Sequence, residues 1–457
     1  MYSYLIYPGS AVLNISKHVD NPGFHHYYPD LMNQILTVPC LVKVLATLCI
    51  ILLINRFTKM LALAIMVGAI TMAFWVGHSP VAAASIAWER FSTLDNILLL
   101  TIVFQIIWLS SQMKETGVMK DLVKSVQSGL PRQFAIAVLP AVIGLLPMPG
   151  GAIFSAPLVD ECGRGEVVRS LLKTRINYWF RHVWEFWWPL YPGVLLTLDI
   201  TGLAVWELII FQFYLSLFAI LGGYLFLLRK VTGTEMDRKH PTDHHFLYLV
   251  LPIIVIISLY SGLMVFVPKV GNTSKYLPMV IGVIWAILVL QIQRPLGWQS
   301  WKKIIFSWRT ISLAVIVALV RIYGAYIEAP LPDGSILVEH MRLELENIGI
   351  PIVAMVMILP FISGVTTGLA VGFVGASFPI VISLAGVTPG VGSIYSATVL
   401  AFTSGWVGMI LSPIHVCLIV TTKYFKTGIF NSIVGLIRPS LVVLAGGVGV
   451  FLLLRII

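Results

Sequence analysis
Ten apolar stretches, each long enough to cross a bilayer as a helix, run through a chain of 457 residues. They lie at about 35–55, 61–80, 96–113, 179–199, 203–228, 246–267, 277–292, 309–327, 394–421 and 433–454. Some 20 apolar residues, each rising about 1.5 Å, match a hydrocarbon core roughly 30 Å thick. Only 11% of residues are charged and mean hydropathy is +0.92, whereas an ordinary soluble domain is roughly 25% charged. These values exclude a disordered chain and a nucleic-acid-binding role, and they weigh against a soluble enzyme. The fold class is an all-α polytopic membrane protein, with about ten transmembrane helices.

Two further apolar segments, 134–160 and 350–386, are broken in the middle by glycine and proline. They read as re-entrant hairpins of paired half-helices. The charges agree. The gap 114–133 carries Lys114, Lys120, Lys124 and Arg132 against Glu115 and Asp121, and the gap 161–176 carries Arg164, Arg169, Lys173 and Arg175 against Glu161 and Glu166. If basic gaps are cytoplasmic, the segment between them enters and leaves on one side. Counting onward, the acidic gap 328–349 falls outside, and the second hairpin enters from there. Both termini come out exterior, and Lys269 and Lys275 are the visible exceptions to the charge rule. The chain then divides into an exterior segment 1–34, a first half 35–245 and a second, inverted half 246–457. Residues 1–34 lack a basic region ahead of a short apolar core, so they do not read as a cleavable signal.

The halves share an ordered series of breakers. Leu139-Pro140, Gly144, Gly150-Gly151 and Ser155-Ala156-Pro157 mark the first hairpin; Leu359-Pro360, Gly364, Gly368 and Ser377-Phe378-Pro379 mark the second. Each hairpin is followed by a span with proline in its middle, Trp188-Pro189-Leu190-Tyr191-Pro192 in 179–199 and Ser412-Pro413-Ile414-His415 in 394–421. Pro157 precedes Pro189 by 32 residues and Pro379 precedes Pro413 by 34. An inverted repeat of this kind is the sequence pattern of a secondary transporter site near the membrane midplane. Proline removes a backbone donor, and the half-helix N-termini left exposed suit an anion.

The candidate substrate-binding residues are Pro149, Gly150, Gly151, Ser155, Pro189, Pro192, Ser363, Thr366, Thr367, Gly368, Ser412 and Pro413. Thr366 and Thr367 either meet the ligand through their hydroxyls or bond back to the preceding turn. Glu185 and His415 are coupling-ion candidates. Glu185 is alternatively an (i, i+4) partner of Arg181, and His415 a packing residue. Arg321 is expected to snorkel to an interface, and Trp184, Trp187 and Trp188 to pack or anchor.

The stretch Leu146-Pro147-Met148-Pro149-Gly150-Gly151-Ala152, with Ser155-Ala156-Pro157, the Trp188–Pro192 break and Ser412-Pro413-Ile414-His415, resembles the integral membrane family named domain of unknown function 401. That family is grouped with the ion transporter superfamily, beside divalent anion/sodium symporters and citrate and gluconate permeases. The resemblance implies two inverted halves, each with a re-entrant hairpin, and an elevator-like displacement. The sodium/dicarboxylate symporters carry Ser-Asn-Thr at their hairpin tips. Here the tips read Pro-Met-Pro-Gly-Gly-Ala and Ser-Gly-Val-Thr-Thr-Gly, so the Na⁺ ligands and dicarboxylate preference do not carry over.

Enzyme signatures are missing: no HExxH, GxSxG or Walker loop occurs. Cys40, Cys49, Cys162 and Cys417 show no CxxC or Cys/His ligand spacing, so no metal is expected. The expected function is a secondary active transporter of a small organic anion, a carboxylate by preference, in the cytoplasmic membrane. Coupling is to Na⁺ or H⁺, and the alternative is a cation/proton antiporter on the same scaffold. No cofactor is expected, with Na⁺ entering only as a coupling ion. The partners are the lipid bilayer and a small-molecule anion, with no nucleic acid; a homodimer is one assembly open to it.

Overall fold
The computed structural model describes residues 38–118, 121–122, 125, 132–145, 151–163, 168–231, 246–386 and 392–456. Residues 1–34 and the tip residues Pro149 and Gly150 lie outside them. Each of the ten apolar stretches contains helix, and two of them, 179–199 and 394–421, are interrupted. The first third holds α1 (Cys40–Thr58), α2 (Leu61–Trp75), α3 (Pro80–Ser92) and α4 (Leu94–Glu115). Next come α5 (Arg132–Gly144) and α6 (Ala152–Cys162), the limbs of the first broken segment, then α7 (Ser170–Phe180), α8 (Pro192–Thr201) and α9 (Val205–Phe226). The second half runs through α10 (Phe246–Phe266), α11 (Pro268–Thr273), α12 (Leu277–Gln293), α13 (Trp298–Ile305), α14 (Trp308–Glu328) and α15 (Leu337–Ile348). It ends with α16 (Ile352–Thr367), α17 (Ala370–Gly386), α18 (Ile394–Ile410), α19 (Val416–Phe425) and α20 (Ile429–Ile456).

Among the described residues six helices are long and apolar enough to cross a membrane on their own. The other expected spans are shorter or divided. α2 has 15 residues and α12 has 17. The stretch 394–421 is α18 and α19 on either side of a break at Leu411–His415. The stretch 179–199 begins earlier than its hydropathy suggests, because α7 starts at Ser170. The chain leaves helix at Arg181 and re-enters at Pro192, where proline fits the first helical position because its missing N–H had no partner there. α3 was not expected from hydropathy. Its start is set by Ser79, whose hydroxyl accepts from the Ala82 N–H at 3.2 Å, and by Pro80.

Two packing groups result. α2, α3, α4, α10, α12 and α14 pack on one another. The hairpin limbs and divided helices form the other group, bordered by α9 and α20. Within it α5 packs on α7, and α16 packs on α18. The second limbs cross over: α6 packs on α19, and α17 on α8. α9 shows why its outer face suits lipid. Leu208, Leu215 and Ala219 are buried, while Ile210, Leu217 and Leu221 are exposed, so the helix is apolar all round.

Candidate functional site
The hairpins and breaks meet through matched contacts. Gly144 follows Leu139 by five residues, as Gly364 follows Leu359; Arg181 precedes Pro189 by eight residues, as Gly405 precedes Pro413. A Cβ on Gly144 would strike the Arg181 carbonyl, and one on Gly364 would strike the Gly405 carbonyl. One step on, the Trp184 indole donates to the Ala141 carbonyl at 2.9 Å. At the same place in the second half, Gly408 lies directly against the Phe361 carbonyl. Finally, Trp188 donates to the Leu145 carbonyl at 2.9 Å, and the Ser412 hydroxyl donates to the Val365 carbonyl at 2.6 Å. Small residues allow such close approach of helices in a membrane.

The indole and hydroxyl donors add hydrogen bonds to backbone carbonyls near the breaks, where lipid would supply none. The Tyr191 hydroxyl donates to Gly144, and Tyr178 donates to the Ile410 carbonyl at 3.1 Å. Trp406 donates to the His182 carbonyl at 3.3 Å, and Ser216 to that of Val183 at 2.5 Å. Trp184 and Trp188 therefore cap hairpin carbonyls, a role the expectation of packing or anchoring missed. Trp187 donates to the Ser216 hydroxyl at 2.8 Å.

Hydroxyl caps start only some of the helices: α3, α4, α14 and the divided helix α18 have them, from Ser79, Thr93, Ser307 and Ser393, whereas α1, α2, α12 and α13 start without one. Gly151 before α6, Tyr191 before α8 and His415 before α19 supply no side-chain cap. The tips converge. The Arg181 guanidinium lies against Gly151, and a Cβ built there would fall 2.6 Å from its Cζ. Gly368 holds φ +62°, and a Cβ there would meet the His415 backbone N at 3.0 Å. A Cβ on Gly193 would meet Ala370 at 2.7 Å, which brings the starts of α8 and α17 together.

Polar side chains gather at this junction. His182, Glu185 and His415 are all buried. His182 Nδ1 lies 2.6 Å from the Tyr178 carbonyl, and its Nε2 lies 3.9 Å from Glu185 Oε1. The His182 and His415 rings meet edge to face at 4.7 Å, and Tyr178 packs on both. Among the described residues Glu185 Oε2, His415 Nδ1 and Ser363 Oγ make no hydrogen bond.

Of the expected site residues, Gly151, Glu185, Gly368, Ser412, Pro413 and His415 come together here. Pro189 lies in the first break and Pro192 opens α8. Ser155 is buried within α6, and its hydroxyl turns back to Ala152. Thr366 and Thr367 bond back along α16, to Ile362 and Ser363 carbonyls, each at 2.7 Å. Arg181, His182, Tyr178 and Cys417 were missed as site residues; the eight-residue offset to the break proline was the available signal for Arg181.

Arg321 corrects its expectation. It does not snorkel but pairs with Asp199 at 2.7 Å, joining α14 to the end of α8. The tether is buried: Tyr276 donates to Asp199 at 2.8 Å, and Lys275 donates to the Leu198 carbonyl at 2.8 Å. Lys275 thus caps a helix C-terminus, which explains its departure from the charge rule.

Divided helices whose breaks are sealed by side chains, flanked by helices with apolar lipid-facing sides, define a helical multi-pass membrane protein. The chain belongs to the family described as protein of unknown function (DUF401), whose model matches residues 41–455. Among solved structures, a match is the crystal structure of the Alcanivorax borkumensis YdaH transporter, titled as revealing an unusual topology. Identity is 12%, covering 80% of this chain and 86% of that one, with a TM-score of 0.48. No curated protein matches.

Proposed function
We propose that the chain is a secondary active transporter of a small organic anion, a carboxylate by preference, working in the cytoplasmic membrane. The observation that carries this reading is the convergence of three uncapped half-helix N-termini on a junction that holds Arg181. Free N–H groups and the positive dipole end favour a carboxylate, and a guanidinium binds one bidentately. The two hairpin-and-break units are inverted relative to each other in the membrane, and both termini are exterior. The hairpin group moves as a body against the group built on α4, α10, α12 and α14, an elevator-like displacement. The two groups meet through small residues, Gly375 of α17 against Val320 of α14 and Gly324 of α14 against Pro379 of α17. Coupling is to H⁺ or Na⁺, and Glu185 with its unpartnered oxygen is the first candidate to carry it.

The same oxygen favours a second reading, a cation/proton antiporter with no organic substrate. Proteoliposome uptake of labelled mono-, di- and tricarboxylates, with and without Na⁺ and pH gradients, separates the two. Carboxylate uptake that Arg181→Gln abolishes supports the symporter. Exchange of Na⁺ for H⁺ without uptake of any carboxylate, lost in Glu185→Gln, would replace it with the antiporter.

A further inference from the structure
The ligand atoms of His182, His415 and Cys417 lie within 4.8 Å of one another, and all three residues are buried. We propose that they form a Zn²⁺ site at the junction of the two breaks, with Glu185 as the fourth ligand. The proposal stands on this geometry and does not require the transport reading, and a zinc-bound Glu185 would leave the coupling role to another group.

The donor set suits the ion. Thiolate, imidazole and carboxylate are the protein ligands of tetrahedral zinc, at about 2.3 Å for sulfur and 2.0–2.2 Å for nitrogen and oxygen. Those lengths put neighbouring ligand atoms roughly 3.4–3.6 Å apart, so the three groups need to close by about 1 Å. The tautomers are prepared. The proton of His182 sits on Nδ1, shared with the Tyr178 carbonyl at 2.6 Å, which leaves Nε2 unprotonated, and the side-chain hydrogen bonds of Cys417 to His182 and His415 are the contacts a metal ion would replace. A backbone acceptor on the far ring nitrogen is the usual support of a metal-bound histidine. His415 Nδ1 makes no hydrogen bond among the described residues, and the same holds for Glu185 Oε2. Glu185 Oε1, 3.9 Å from His182 Nε2, places that carboxylate beside the proposed ion.

The charges balance. Binding displaces the Cys417 thiol proton to solvent, as metal capture by a thiol requires. Zn²⁺ with one thiolate, one carboxylate and two neutral imidazoles has no net charge, which matters in the membrane interior. Arg181 bears electrostatically on Cys417. It opposes a bare dication and supports the two anionic ligands, so the neutral ligand set is what makes the site tenable.

The test uses the full chain, purified in detergent without added metal and titrated with Co²⁺ as the spectroscopic stand-in for Zn²⁺. One equivalent of Co²⁺ should give a thiolate-to-cobalt charge-transfer band in the near ultraviolet together with tetrahedral d–d bands, and one equivalent of Zn²⁺ should remove both. Cys417→Ser should lose the charge-transfer band while the exposed Cys49→Ser keeps it. His182→Gln should weaken Co²⁺ binding by at least roughly tenfold. Absence of the band from the unaltered protein, or its survival in Cys417→Ser, would overturn the site. The unaltered protein alone decides the first of these, so a variant that fails to fold does not shelter the proposal. No substrate or gradient enters the measurement, so its failure is distinct from failure of the transport reading.

Discussion

The first hairpin unit and the second answer the same structural problem with different residues at matching places. Ala141 and Phe361 each follow a Leu-Pro pair. The carbonyl of Ala141 receives an indole N–H from Trp184, while that of Phe361 lies directly against Gly408. Leu145 receives Trp188, and Val365 receives Ser412. A tryptophan holds two helices apart at side-chain distance; a glycine or serine brings their backbones together. The first unit therefore has room at the Trp184 and Trp188 positions, although Gly144 meets the Arg181 backbone as closely as Gly364 meets that of Gly405. Arg181, His182 and Glu185 stand where the second unit has Gly405, Trp406 and Met409. The first unit brings the charged groups Arg181 and Glu185, and the second, packed more closely at these positions, adds His415 and Cys417 to the junction.

That contrast breaks most sharply at Gly408. Gly408→Val would push a branched side chain into the Phe361 backbone, which cannot swing aside. Overpacking of a filled site costs about 1–3 kcal/mol and occasionally more, and here two whole helices must separate. The expected outcome is loss of monodisperse protein on size exclusion and a large fall in Tm. A near-native Tm would mean the second unit is as loosely spaced as the first.

In the first unit the corresponding change should spare the fold and remove function. The three atoms nearest a Cβ at Gly151 all belong to the end of the Arg181 side chain, which is able to move. Both Gly151→Val and Arg181→Gln should keep Tm close to that of the unaltered protein yet lower carboxylate uptake. Loss of a hydrogen bond to a charged ligand costs about 1.5–3 kcal/mol, or roughly ten- to a hundredfold. Uptake unchanged in both variants would remove Arg181 from the site.

A smaller effect is expected from the hydroxyls of the second tip. The Thr367 hydroxyl is already committed to the Ser363 carbonyl at 2.7 Å. Thr367→Ala should change uptake little, because a bond back to the preceding turn contributes little to a helix. A loss comparable with Arg181→Gln would show that this hydroxyl leaves its carbonyl for the ligand.

The smallest effect lies outside both units, in the acidic loop before α15. The Ser335 hydroxyl and N–H donate to Asp333 at 2.6 and 2.9 Å, and these bonds hold its carboxyl below the usual range. A depressed value means the turn gains stability above the ordinary carboxylate pKa of about 3.9 and loses it as pH falls through the lowered value. Exchange of the Ser335 amide, corrected for its intrinsic rate, should stay slow and flat from neutral pH down through that ordinary value. Asp333→Asn should speed it modestly and leave uptake untouched.

Much of this organisation is legible in the chain. The Leu-Pro to Gly spacing, repeated at 139–144 and 359–364, marks the two positions where the hairpins press on the divided helices. The prolines at 189 and 413 mark the breaks. Hydropathy also found every long apolar helix, although it missed α3, whose start depends on a serine cap and a proline. Other features were not legible. Arg321 read as a snorkelling residue because its partner Asp199 belongs to the other half. His182 and Cys417 show no metal-ligand spacing for the same reason. Trp184 and Trp188 read as ordinary packing because the carbonyls they cap are exposed only when α5 ends beside them.

The sequence by itself determined that this chain lives in a bilayer and where its helices must break. Both follow from local physics: a run of apolar residues partitions into hydrocarbon, and proline withholds an N–H wherever it stands. Only the tertiary structure decided which ends of those broken helices face one another, and which half carries the charged groups into the junction. Those outcomes depend on the spacing between helices distant in the chain. That spacing is set by whether an indole or a glycine fills the gap, and it exists only once both helices are in place.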